Sequence, residues 1–139
     1  MAISQAMCSS FKAEVLGGVH DLDTDTINIA LYTSAATLSA ATTAYTTSDE
    51  VAGAGYVAGG NTLTGPVITL DGTTAICDFA DSTWVSATIT ARGAVIYNAS
   101  KANRAIAVLD FGSDKSSTAG DFTVIMPAAA ATTALIRLA

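Results

Sequence analysis

The 139-residue chain is poor in almost every residue type that carries chemistry. It has one histidine, two cysteines, two prolines and one tryptophan, and aromatic side chains make up 6% of it. Lysine and arginine total six, scattered as Lys12, Arg92, Lys101, Arg104, Lys115 and Arg137. With a net charge of −6 and no basic patch, the chain lacks the electrostatic footprint of a nucleic-acid binder. No apolar run approaches the ~18 residues that span a bilayer. The start, Met1-Ala2-Ile3-Ser4-Gln5, has no positively charged leader. No membrane partner is expected, and assembly is expected in a cytoplasm. Cys8 and Cys77 have no short metal-ligand spacing. Whether they pair stays open; two buried thiols acting as small hydrophobes is the plainer expectation.

What the chain does have is alanine, 28 residues, and threonine, 20 residues. The length is that of one domain, and a domain of this size buries roughly 70% of the surface of its unfolded chain. Alanine adds little to that burial, since each buried CH₂ contributes about 0.8 kcal/mol. A thin core is therefore expected, and with it stabilisation by neighbouring subunits.

Two periodicities divide the chain. Ile3, Met7, Phe11 and Val15 recur every four residues and predict one short N-terminal helix or arm over residues 1–18, stopped by Gly17-Gly18. From residue 26 the period becomes two. Residues 26–32 read as a half-buried strand and residues 33–48 as a long surface loop. Strands follow over residues 63–70, 73–79, 84–90, 93–98, 105–111, 122–126 and 134–138. Pro66 demotes part of the first of these to an edge or a bulge, and Asp71-Gly72 marks a hairpin. Val95-Ile96-Tyr97 is expected to be buried on both faces, and residues 113–121 form a polar loop. About eight or nine short strands predict an all-β fold, an antiparallel jelly-roll-like β-sandwich over residues 26–139.

Each candidate reacting group fails on its surroundings. His20 beside Asp21 has no Gly-x-Ser-x-Gly elbow to pair with and reads as a lone surface histidine. Asp21, Asp23 and Asp25 mimic the start of a calcium loop, but Thr26 and Tyr32 stand where such a loop needs glycine and glutamate. Gly53, Gly55 and Ala58 fit the loose dinucleotide fingerprint, yet a strand follows them instead of a helix. Asp49 and Glu50 are adjacent, so on a strand they point to opposite faces. No metal or cofactor is expected. The chain reads as a structural or binding protein, not an enzyme; a small hydrolase built on His20 is the remote alternative.

Five stretches are spread, in order, across nearly the whole chain: Phe11-Lys12-Ala13-Glu14-Val15-Leu16-Gly17-Gly18-Val19-His20, Ile27-Asn28-Ile29-Ala30-Leu31-Tyr32, Gly55-Tyr56-Val57-Ala58-Gly59-Gly60, Ala91-Arg92-Gly93-Ala94-Val95-Ile96-Tyr97-Asn98 and Ala107-Val108-Leu109-Asp110-Phe111-Gly112. This ordered set resembles the small virion proteins of tailed bacteriophages, in particular the capsid decoration, or cement, proteins. The resemblance implies a jelly roll that decorates the outer surface of a capsid in the virion. It implies the major capsid protein and further copies of itself, as dimer or trimer, as partners, and no catalytic residues. On that reading the terminal segments reach out. Met7, Phe11 and Val15, the aromatic Trp84, and Leu135, Ile136, Arg137 and Leu138 are the candidate capsid or oligomer contacts. The alternative is a tail or fibre module binding host-surface carbohydrate through Trp84, Tyr56 and the 33–48 loop.

Overall fold

A computed structural model describes residues 2–139; Met1 lies outside the described residues. These form eight strands and one helix: β1 (Ala6–Met7), α1 (Ser9–Leu16), β2 (Ile27–Tyr32), β3 (Asn61–Thr62), β4 (Val67–Asp71), β5 (Thr74–Asp78), β6 (Ser82–Asn98), β7 (Arg104–Val124) and β8 (Ile136–Leu138). They build two antiparallel sheets, in the orders β1-β7-β6-β2-β3 and β4-β5-β8. The fold is all-β, as the period of two predicts.

The five-stranded sheet holds most of the core. β2 pairs with β6 from Ile27↔Asn98 to Tyr32↔Gly93. Val95, Ile96 and Tyr97 are buried on both faces, as their unbroken apolar run predicts. Cys77, Phe79 and Ile136 join the same apolar cluster, so the two sheets share one core.

The expected helix is half as long as its period suggests. Ile3 and Met7 lie outside it: Ile3 bridges to Leu38, and Met7 sits in β1 against Ala107. Cys8, just before the helix, is extended at φ −65° and ψ 136°, and its amide donates to the Ile106 carbonyl. The sheet edge supplies the hydrogen-bond partners a first helical turn would have to find for itself, and pairing wins. The stop falls where glycine predicts it. Gly18, at φ +75°, donates to the Val15 carbonyl, and the next amide, of Val19, reaches the Glu14 carbonyl. That pair of bonds is a Schellman closure.

The expected polar loop at residues 113–121 is instead the middle of β7. The two strands expected at 84–90 and 93–98 run together as β6. β6 and β7 pair from Asn98↔Arg104 to Ser82↔Val124, with register shifts at four places. Hydroxyls hold the polar stretch: Thr90 bonds Ser116 at 2.8 Å and Ser117 donates to the Ala87 carbonyl at 2.8 Å. A stretch of strand exposed on both faces carries no apolar alternation to reveal it. The 33–48 loop is tied down more than its composition suggests. Ala36 and Leu38 are buried, and Tyr45 packs against the core.

Candidate interaction surfaces

The groups able to do chemistry are engaged with one another. His20 is buried, not on the surface as the sequence suggested, and stacks at a tilt on Phe11 with ring centroids 5.0 Å apart. Asn98 Nδ2 donates to His20 Nδ1 at 3.0 Å, which leaves His20 Nε2–H to donate to Glu14 Oε1 at 2.9 Å. Glu14 also accepts from Arg104 Nη1 at 2.9 Å. Desolvation opposes its charge, but the His20 and Arg104 bonds outweigh it and hold Glu14 below the usual carboxylate range. Both ring nitrogens of His20 are thus occupied, and the cluster clamps α1 to the ends of β6 and β7.

The three aspartates behave as an acidic turn. Asp21 Oδ1 accepts the amides of Asp23 and Thr24. Asp25 Oδ2 accepts from Asn98 Nδ2 at 2.8 Å and from the Asp21 amide at 3.0 Å, and these bonds lower its pKa. No group of three or more metal-ligating side chains occurs among the described residues. After the glycine cluster comes β3, so the dinucleotide fingerprint lacks its helix. The glycines serve close packing: a Cβ on Gly60, at φ +77°, would run into the Ile29 carbonyl.

One cluster escaped the sequence reading. Glu50 accepts from Tyr45 OH at 2.7 Å, Tyr56 OH at 2.6 Å and the Gly59 amide at 2.8 Å. Tyr56 OH accepts in turn from the Leu31 amide, and Tyr97 OH donates to the Gly59 carbonyl. Tyr45 and Tyr97 stack with centroids 4.7 Å apart. Burial first, and then the bond to Glu50, push Tyr45 and Tyr56 far above the ordinary phenol range. The network fastens residues 44–60 onto β2. No local spacing announces it, because its members come from four separate segments.

The candidate contact residues divide. Phe11, Trp84 and Ile136 are buried at 0%, 3% and 3% exposure, so they support the surface and cannot touch a partner. Trp84 stacks on Tyr56 and meets Phe122 edge-on, which covers the face a sugar would need. Val15 is half-buried against the core. The terminal segments fold back on their own chain: residues 2–7 pair with residue 38 and β7, and β8 pairs with β5. Yet Met7, Leu135 and Arg137 come together in one groove of about 810 Å³, with Phe111, Ile125 and Met126 beside them. Leu138 is 44% exposed on the far side of the small sheet. Of the six cations, Arg92 pairs with Asp110, Lys101 with Asp25 and Arg104 with Glu14.

The class this defines is an all-β protein of two antiparallel sheets, whose polar clusters are internal fastenings and whose free surface offers a groove and strand edges. Comparison with family models, curated proteins and solved structures finds no match to the chain. No helix among the described residues is long and apolar enough to cross a membrane.

Proposed function

We propose that this chain is a virion structural protein that decorates and cements the outside of a tailed-phage capsid by bridging neighbouring major capsid proteins. The observation that carries the proposal is the groove at Met7, Leu135 and Arg137, where both ends of the chain meet beside the exposed Ile125. The ordered resemblance to decoration proteins supports the same reading, and a jelly-roll ancestry fits the two antiparallel sheets. A lattice-coating protein binds through many modest contacts that reinforce one another. An apolar groove rimmed by one arginine is a contact of that kind.

Two measurements test it. Protein quantification on purified virions should give copies on the order of hundreds per particle, as coating a symmetric lattice requires. An Ile125→Asp variant, altered at a residue 77% exposed, should fold normally and fail to co-sediment with heads. A handful of copies per particle would favour the tail or fibre module instead.

A further inference from the structure

We propose that β4 is a self-pairing edge, through which two copies of this chain join about a twofold axis into one continuous six-stranded sheet. The proposal stands on the strand alone and holds whether or not the chain coats a virion.

β4 is the outer strand of its sheet, and all five of its residues are exposed. Ile68 is 53% and Leu70 69% exposed. An apolar strand with a bare edge is a template for another strand, and folds normally blunt such edges with charge or proline. The chain does so elsewhere. The free edge of β7 carries Asp114, Lys115 and Asp121 among serines and glycines. β4 has no charge from Val67 to Leu70.

The hairpin fixes which backbone groups are free. Asp71 pairs with Thr74 across the two-residue turn Gly72-Thr73, so those two residues exchange hydrogen bonds. Counting back, Thr69 bonds Ile76 and Val67 bonds Asp78. The N–H and C=O groups of Ile68 and Leu70 therefore point away from β5, toward the open edge. The residues with unused backbone groups are the same ones that expose the largest apolar side chains.

That arrangement is self-complementary. An antiparallel copy centred on Thr69 sets Ile68 opposite Leu70 of the second copy, and Leu70 opposite its Ile68. Both pairs fall at hydrogen-bonding positions, giving four backbone bonds. Their side chains share one face and continue the row Leu138, Ala75, Leu70 of each protomer. Val67 faces Asp71 of the second copy, and the two Asp71 carboxylates stand about 14 Å apart along the strands, beyond a Debye length. Pro66, lacking an N–H, ends the ladder. So short a contact makes a dimer that dissociates on dilution.

Light scattering on the full chain across a concentration series should show the mass rising from 14.0 kDa to twice that value. The double variant Ile68→Lys, Leu70→Lys should stay at monomer mass throughout with an unchanged far-UV spectrum. A Thr69→Cys variant should form an intermolecular disulfide on mild oxidation, whereas Val67→Cys should not, because only residue 69 meets its own copy. Amide exchange should protect Ile68 and Leu70 in the dimer and expose them in the lysine variant, with Thr69 protected in both. A wild-type chain monomeric at every concentration overturns the proposal. So does a trimer, a dimer that survives both lysines, or equal cross-linking at residues 67 and 69.

Discussion

The open edges of the two sheets, along β7 beyond the short β1 and along β4, have opposite surfaces. On the five-stranded sheet, the outer side of β7 is polar, and its partner β6 carries the buried residues Trp84, Ala87, Ile89 and Ala91. On the three-stranded sheet, β4 keeps Val67, Ile68 and Leu70 in solvent, while only Cys77, Ile76 and Ile136 beneath reach the core. One sheet spends its apolar side chains inward; the other leaves a third of its width unspent. The difference separates a stability element from a contact element within one small fold.

The largest effect that can break this comparison is on global stability. Trp84→Ala should cost about 3–5 kcal/mol, as truncation of a buried aromatic does. Leu70→Ala, in the dilute monomer, should stay within about 0.5 kcal/mol of wild type. Urea unfolding measures both, and similar costs would mean that the tip of the small sheet is packed after all.

A smaller effect concerns Asp78 in β5, which is buried with Oδ2 lacking a hydrogen-bond partner. Burial pushes its carboxyl up, and the Phe79 amide offsets this only in part. A carboxyl with a raised folded pKa stabilises the fold while it is protonated in both states. That stability is lost as pH rises from the unfolded value near ~3.9 through the raised folded value. Asp78→Asn should therefore gain on wild type as pH climbs through that window, with little difference below it. Denaturant midpoints at acid and neutral pH check this; a variant that loses ground as pH rises contradicts it.

The smallest effect distinguishes the sheets by their openings. Burial pushes Cys8 up to about 11 and Cys77 up to about 12, and both thiols are free and buried. Neither should react with a thiol reagent until its surroundings open, when both regain ordinary acidity. Cys77 should be labelled first, because its sheet has fewer strands and an uncovered edge. Mass spectrometry of partly labelled protein gives the order, and Cys8 first would reverse the ranking of the two sheets.

The fold class was legible because inward and outward residues alternate wherever a strand has one wet face. The start of β6 shows it in its burial, whereas β2 and β5 alternate only in residue type, β2 being buried almost throughout. Val95-Ile96-Tyr97 was legible by the absence of alternation. The middle of β7 was not, since Gly-Ser-Asp-Lys-Ser-Ser is what a loop also looks like, and only the partner strand makes it β. Ile3 and Met7 kept a helical spacing that pairing with Leu38 and β7 overrode. Among the contact residues, the terminal ones were half legible. Sequence marks Leu135–Leu138 as apolar, but burial sends Ile136 inward and leaves Arg137 and Leu138 outside. The Glu50 hub and the bare edge of β4 depend on which strands are neighbours, which no local pattern encodes.

The turn between β6 and β7 sets how this chain can fold. Ala102 and Asn103 hold left-handed φ of 56° and 57°, closing the hairpin within a few residues. From there each new pair, Asn98↔Arg104 outward to Ser82↔Val124, closes a loop only slightly longer than the last. The ribbon can therefore zip progressively, with small entropic steps. β2 meets β3 through only two residue pairs, and its six-pair ladder forms only once β6 exists, so residues 27–32 wait for the middle of the chain to be made.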